Sequence, residues 1–193
     1  MIELVKKAIE RTVKQFREYP LDFLSERDIQ AWLFAELRLR DETSNLRYPH
    51  DAADPRFGFP GPFSVHHVTT EYHVREGIFD VAVLSEKPDP KSDIWRQPCR
   101  VAIEIKLWQP CEREPKYLLD VKKLQLYQAR LQTEGRAFMG IAMLFVHPYG
   151  TAKPTGITEE NSGDAYPENG IALHWVTQEG HWWKQFSGPS ITE

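Results

Sequence analysis

The sequence has little cysteine and no long hydrophobic run. Its two cysteines, Cys99 and Cys111, form no CxxC motif and no disulfide framework, so a reducing, cytoplasmic setting is expected. No apolar stretch approaches the roughly 18 residues that a membrane-spanning helix needs. The first residues also lack the apolar core of a signal peptide. These absences predict a cytoplasmic protein that does not associate with a membrane.

The chain also lacks an excess of positive charge. Its 24 basic and 28 acidic residues leave a formal net charge of −4. This balance excludes a uniformly basic coat protein for nucleic acid. A nuclease needs only a local basic patch, however, and carboxylates clustered at a metal site lower the total charge. Hydrolysis of nucleic acid is therefore compatible with the composition.

The hydrophobic pattern predicts one α/β domain over residues 1–193. A chain of 193 residues is long enough for one sizeable core and too short for two. The spacing of apolar residues predicts helices over 2–18, 25–40 and 115–133. Apolar runs predict strands over 66–75, 78–84, 99–108, 138–146, 171–176 and 181–186. The stretches between them, 41–63, 85–98 and 148–169, are expected to be loops. A strand, a helix and another strand in this order make a crossover, which favours a mixed sheet covered by helices.

Two of the apolar strands carry charged residues in their middle. In Val101–Leu107 the side chains alternate between faces, so Glu104 and Lys106 share one face. Asp80 is the lone acid of the apolar run Ile78–Leu84. Burying such groups without partners is costly. If the two strands are neighbours, Asp80 and Glu104 could converge on one cation beside Lys106, and carboxylate oxygens suit Mg²⁺ or Mn²⁺.

Ordinary ion pairing or solvation could also account for these charges. Glu104 and Lys106 could pair with each other on one face of the strand, while Asp80 could lie solvated at a strand end. A lone Glu-x-Lys occurs by chance in many proteins. The acid in the preceding apolar strand and the helix that follows favour a site. An α+β domain of another kind, with a structural network of buried charges, is the alternative.

These residues resemble the Asp…(Asp/Glu)-x-Lys signature of the PD-(D/E)XK, or restriction-endonuclease-like, nucleases. Ile78-Phe79-Asp80-Val81-Ala82-Val83 matches the first part and Val101-Ala102-Ile103-Glu104-Ile105-Lys106 the second, although Gly77 stands upstream of the acid and no proline precedes it. The family core has a helix, three strands, a helix and a strand. The predicted elements follow this order over about 22–147. The resemblance implies a mixed-sheet core (αβββαβ) flanked by helices, here with an extra N-terminal helix and a C-terminal β-hairpin in 148–193.

The resemblance further implies a metal-dependent nuclease that hydrolyses phosphodiester bonds, of DNA rather than RNA. Asp80, Glu104, Glu26 and the main-chain carbonyl of Ile105 would hold Mg²⁺ or Mn²⁺. Lys106 would position the attacking water or offset charge on the phosphate. A descendant that no longer cuts, and only binds nucleic acid or protein, is the alternative. Many relatives act as dimers, so a homodimer or a partner protein is compatible with this resemblance.

Further residues are candidates for substrate contacts or for support of the site. The candidate phosphate contacts are Arg75, Lys122 and Lys123. Relatives bring polar residues to the site from the helix after the motif, and Lys123 is the first choice for this role. Glu71, at the head of the first hairpin strand, and Asp120 and Gln128 of that helix are candidate supporting residues. An ordinary solvated or strand-edge role is the alternative for each of them.

Overall fold

The structure is a computed structural model that describes residues 1–40, 45–47, 64–85, 97–109, 117–149 and 160–186. The helices in this part are α1 (Ile2–Glu18), a short 3-10 helix (Pro20–Asp22), α2 (Glu26–Arg40) and α3 (Tyr117–Thr133). The strands are β1 (Asn45–Arg47), β2 (Ser64–His66), β3 (Val68–Val74), β4 (Gly77–Leu84), β5 (Cys99–Trp108), β6 (Met139–Val146), β7 (Gly170–Val176) and β8 (His181–Phe186). Across these residues, no helix has the length and apolar character to cross a membrane.

Six strands form one mixed sheet in which the spatial order is the order along the chain, from β3 to β8. Strands β3, β4 and β5 are antiparallel neighbours, β5, β6 and β7 are parallel, and β8 returns antiparallel to β7. Helix α3 makes the crossover between the parallel strands β5 and β6. The predicted α/β class with a mixed sheet is therefore confirmed.

The sheet is covered by helices on both faces. Residues of α1 and α2 form one core with the side chains of Val101, Ile103 and Ile105 on β5. Residues of α3 form the second core, on the face of β5 to which Ala102 belongs. Because both faces are covered, the central strands are apolar almost throughout, as in other buried sheets with crossover connections. A charged residue in β5 is therefore an exception that requires specific partners.

The N-terminus of α2 is tied down by one carboxylate. Asp28 Oδ2 accepts hydrogen bonds from the backbone N–H groups of Leu24, at 2.9 Å, and Ser25, at 2.8 Å. The hydroxyl of Ser25 donates to the same oxygen at 2.9 Å. These bonds satisfy donors at the helix start, as a capping box does. They also fix Glu26 in the first turn, beside the sheet.

The structure corrects the sequence prediction around the first hairpin. The loop predicted over 41–63 contains β1, which pairs with β2, and the rest of that stretch lies outside the described residues. The sequence places the hairpin turn at 76–77, but Val74 pairs with Gly77, so Arg75 and Glu76 form the turn. Gly77 instead begins β4 with φ +144°. Most of 85–98 and the predicted helix start at 115 also lie outside the described residues.

Candidate active site

Strands β4 and β5 pair along only part of their length. Their register runs from Leu84 opposite Cys99, through a shift at Val83, to Val81 opposite Ile103 and then stops. One further step would pair Asp80 with Glu104. Ile105 carries the next backbone N–H of β5 that faces β4. This N–H donates at 2.6 Å to Oδ2 of the Asp80 carboxylate instead of to a backbone carbonyl of β4. A side chain therefore takes the place of the backbone partner, and the two strands separate at the acids.

Glu104 lies at this point with an ammonium group against it. Its side chain is only 2% exposed, and its Oε1 lies 2.7 Å from Lys123 Nζ. Lys123 extends from α3, donates to the carbonyl oxygen of Ile78 at 2.6 Å and lies 3.7 Å from Asp120 Oδ1. Gly77 makes room for it, because a Cβ there would meet Lys123 Cδ at 3.0 Å. The N-terminal end of β4 thus admits the lysine that partners Glu104.

Lys106 lies between acids from two helices. Its Nζ is 3.5 Å from Glu26 Oε2 on α2 and 3.8 Å from Asp120 Oδ2 on α3. The other oxygen of Glu26 accepts a long, 3.4 Å hydrogen bond from the Leu107 N–H of β5. Asp120 Oδ2 is buried and accepts no hydrogen bond within the part of the chain that the structure describes. The open end of β5 therefore gathers carboxylates from both sides of the sheet.

Burial changes the acidity of both strand carboxylates. The pKa of Glu104 is raised to about 8, mainly by burial and also by Asp80 and Asp120, while Lys123 opposes the change. Burial also raises the pKa of Asp80, against the opposing effects of the backbone hydrogen bond and of Lys106. Both shifts have the same physical origin, since an ionised carboxylate loses hydration inside the protein. Lys106 and Lys123 therefore neutralise only part of the negative charge of this site.

The pKa of Lys106 moves in the direction that keeps it charged. Burial on its own would lower this pKa, but the nearby carboxylates of Asp120 and Glu26, and then of Asp80 and Glu104, raise it above its usual value. Lys106 is therefore an ammonium group at neutral pH. The sequence left this protonation state open. The position of Lys106 among acids from α2 and α3 decides it.

The residues fit a hard divalent cation in their chemistry, although the arrangement is not a preformed cage. Among the described residues, no group of three or more His, Cys, Asp or Glu side chains is disposed to hold a metal ion. Asp80 Oδ2 is engaged by the Ile105 N–H and Glu104 Oε1 by Lys123. The donor set is nevertheless carboxylate and carbonyl oxygen, which Mg²⁺ and Mn²⁺ prefer. A cation at Glu104 would compete with Lys123.

Most of the predicted site residues lie together around the open end of β5. They are Glu26, Asp80, Glu104, Ile105, Lys106, Asp120 and Lys123. Glu71 reaches this group indirectly, through Gln30 of α2. Arg75, in the hairpin turn, and Lys122, on α3, are exposed, and their contact with phosphate stays a prediction. Gln128 is buried, and its side chain makes no hydrogen bond within the described residues, to the site or elsewhere.

Gln30 is a further residue of the site, and the sequence motifs do not identify it. Its Nε2 donates to the backbone carbonyl of Asp80 at 2.6 Å and to Glu71 Oε1 at 2.9 Å. One signal was available, because Gln30 follows Glu26 by four residues and residues four apart share a helix face. That spacing points Gln30 toward the same part of the sheet. Its two partners are 41 and 50 residues away along the chain, so no local pattern identifies them.

Comparison with protein-family models, with curated proteins and with solved structures finds no match for this chain. The chemistry of the site is therefore the main guide to its function. That site is the gap between β4 and β5, where acids and lysines from four elements of the fold meet.

Proposed function

We propose that this protein is a metal-dependent nuclease with a restriction-endonuclease-like, PD-(D/E)XK core, which hydrolyses phosphodiester bonds of DNA rather than RNA. The observation that carries the proposal is the separation of β4 and β5 at Asp80 and Glu104, with Lys106 beside them. Ionisable groups with shifted pKa values that gather at one gap in a buried sheet are typical of functional sites. The order of elements around that gap agrees with the proposed family core.

Each residue has a role that follows from its position. Asp80, Glu104, Glu26 and the main-chain carbonyl of Ile105 would hold Mg²⁺ or Mn²⁺. When bound, the ion lowers the pKa of water and neutralises charge on the scissile phosphate. Lys106 would stabilise the negative charge that builds on the phosphate and would orient the attacking water, because its raised pKa keeps it protonated.

The remaining parts of the proposal concern the surroundings of the site. Arg75 and Lys122 are exposed cations that would contact the phosphates of the substrate. A homodimer, or a partner protein, would supply the second active site that cutting both strands of a duplex requires. We place the protein in the cytoplasm and treat residues 1–193 as one nuclease domain.

The test is cleavage by the wild type and by Lys106→Met. Substrates are supercoiled plasmid, linear duplex, single-stranded DNA and RNA, each with Mg²⁺, Mn²⁺ or EDTA. We expect metal-dependent cleavage of DNA, and a loss on the order of 10³-fold in the variant, because the charge on the phosphate loses its fixed partner. Lys14→Met is the matched control, since the Lys14 side chain is 74% exposed on α1, and its activity should be unchanged. Full activity in Lys106→Met would contradict the assignment.

A second candidate function is supported by one observation. Lys123 and Lys106 already pair with Glu104, Glu26 and Asp120, as expected in a relative that binds nucleic acid or protein and no longer cuts. Titration with Mn²⁺, followed by electron paramagnetic resonance, separates the two functions. The nuclease should bind Mn²⁺ through Asp80 and lose it in Asp80→Asn. A wild type that binds no Mn²⁺ and cuts no substrate would be the inactive relative.

A further inference from the structure

Strands β3 and β4 also interrupt their pairing, at the level of Asp80. Their register passes from Thr70 opposite Val81 directly to Tyr72 opposite Phe79, without a pair between Glu71 and Asp80. Glu71 has φ +51°, and it is the only residue other than glycine with a positive φ in the described part of the chain. A side chain at positive φ is strained, so the surrounding structure must hold this conformation.

The interruption changes which face of the sheet the side chains occupy. Val81 and Val83 pack in the core under α1 and α2, whereas Phe79 packs in the core under α3. Residues two apart in a regular strand point to the same face. The strand therefore rotates between Phe79 and Val81, and Asp80 is the residue at which it rotates. In a regular strand Asp80 would share a face with Ala82, and its carboxylate could not lie between the strands.

Gln30 bridges the interruption from α2. Its Nε2 donates one hydrogen bond to the carbonyl oxygen of Asp80, at 2.6 Å, and one to Glu71 Oε1, at 2.9 Å. Both partners only accept, so the orientation of the Gln30 amide is determined by chemistry. The helix thus supplies the donor that Glu71 would supply in a closed ladder. The same nitrogen, Gln30 Nε2, also donates the hydrogen bond that holds the Glu71 side chain.

We propose that Gln30 and Glu71 are positioning residues that keep the β3–β4 ladder open at Asp80. The open ladder leaves the Asp80 carboxylate turned toward β5, where the N–H of Ile105 holds it at 2.6 Å. Closing the ladder would rotate Asp80 and break this bond. The consequence for metal binding rests on the proposed function, but the geometry can be tested without metal and without activity.

The first test follows the backbone amide of Ile105 by NMR in metal-free, ¹⁵N-labelled protein. Gln30→Met keeps the length of the side chain and removes both donors. We expect hydrogen exchange at Ile105 to become about tenfold faster relative to Ile103, which stays in the regular ladder, as after loss of one hydrogen bond of ordinary strength. Gln15→Met on α1 is the matched control and should leave the ratio unchanged. Equal acceleration at both amides would mean general destabilisation and would overturn the proposal.

The second test separates the Glu71 backbone from its side chain. Glu71→Gly tolerates positive φ, whereas Glu71→Val does not, because β-branched residues are strongly disfavoured there. We expect the Ile105 resonance and its exchange rate to stay close to wild type in Glu71→Gly and to change in Glu71→Val. An equal response to the two substitutions would overturn a positioning role of this backbone conformation. This pair also keeps the proposal testable if Gln30→Met does not fold.

The third measurement links positioning to the proposed metal site. The Kd for Mn²⁺ should rise about tenfold in Gln30→Met, the factor that corresponds to one misplaced hydrogen-bonded ligand, and should not change in Gln15→Met. Unchanged affinity in Gln30→Met would overturn the link. If the wild type binds no Mn²⁺, the proposed function fails, while the Ile105 measurements still decide whether Gln30 and Glu71 position Asp80.

Discussion

Strand β5 consists of two halves that differ in their neighbours. In the first half, from Val101 to Ile103, the strand pairs with β4 on one side and β6 on the other, and its side chains are apolar. The charged Arg100 precedes the first pair with β6. From Glu104 onward the strand pairs with β6, while β4 has separated from it. Both charged residues within the buried run of β5, Glu104 and Lys106, belong to the second half. The same strand therefore excludes charge where both ladders are present and carries it where one ladder ends.

The two halves differ because side chains of opposite charge can reach only the second half of β5. In the open half, Lys123 reaches Glu104 past Gly77, which has no side chain to block it. Acids from α2 and α3 reach Lys106 from either side. A carboxylate in the paired half would meet apolar side chains of β4, β6 and α3 instead. Ionisable groups in β5 are thus tolerated because the sheet is broken beside them.

The largest effect is expected from moving a charge into the paired half. Ala102→Asp places a carboxylate two residues before Glu104 on the same face, but without a lysine to partner it. The free energy of unfolding should fall by roughly 4 kcal/mol, the cost of an unpaired buried charge. Urea denaturation measures it. His73→Asp, at an exposed position of β3, should cost less than about 1 kcal/mol. Similar losses in the two variants would contradict the comparison.

A second buried polar pair, His174 on β7 and His181 on β8, provides a contrast, because the register between these two strands is not interrupted. His174 Nε2 donates to the carbonyl of Ala165 at 2.6 Å, so its Nδ1 accepts from His181 Nε2 at 3.0 Å. Burial lowers the pKa of His174 from 6.5 to about 3 and that of His181 to about 4, with Arg17 also lowering the latter.

These histidines should destabilise the fold in acid. Because their folded pKa values are below 6.5, the stabilisation is complete above pH 6.5 and is lost as pH falls toward 4. We expect the protonation of His174 alone to cost roughly 3 kcal/mol by pH 4.5, at up to about 1.4 kcal/mol per pH unit. His174→Gln should flatten this dependence in urea denaturation, and the exposed His73→Gln should not. An equal slope in His174→Gln and the wild type would refute a role of these histidines in acid unfolding.

Glu104 should show the opposite pH dependence. Its pKa rises from 4.5 to about 8 on folding, so the folded state binds the extra proton between these values and stability falls as pH rises through that window. Glu104→Gln removes the ionisation and keeps an oxygen for Lys123. The variant should be more stable than the wild type by roughly 2 kcal/mol at pH 6, and the two should be similar at pH 4.5. A less stable variant at pH 6 would mean that Lys123 more than compensates the cost of burying Glu104.

The smallest effect concerns the space through which Lys123 passes. Gly77→Ala places a side chain at φ +144° and against Lys123 Cδ. Gly135→Ala is a control for a side chain added at positive φ, since Gly135 has φ +67° and none of the described residues lies within 4 Å of an added Cβ. We expect a loss of roughly 1 kcal/mol in the control and about 1 kcal/mol more in Gly77→Ala. Equal losses in thermal or urea unfolding would show that Lys123 does not need the space.

Local patterns in the sequence predicted the frame of the site well. Helical spacing identified α1 and α2, and apolar runs identified β4, β5 and β6 to within a residue or two. The hypothesis that Asp80 and Glu104 could act together required β4 and β5 to be neighbours, and their register confirms this. These predictions succeeded because amphipathic periodicity reflects burial, which the sheet and its helices impose on each element separately.

Other features of the site had no local signal. The sequence gives no indication that Glu71 adopts a positive φ, or that Gln30 replaces it as the donor to Asp80. Lys123 was chosen from its helix, but its pairing with Glu104 depends on how α3 crosses β5. Such contacts join residues far apart in the chain. They form only after the helices have packed on the sheet.

The sequence by itself determined the helices, the strands and the presence of charge in two apolar runs, because these depend on residue type and spacing. Only the tertiary structure decided where the ladders on either side of β4 open, which lysine faces Glu104, and that Lys106 stays protonated. The physical reason is that hydration loss, counter-charges and hydrogen-bond partners are set by what surrounds a group in space. For Asp80 and Glu104 those surroundings come from α2 and α3, which the sequence places at a distance.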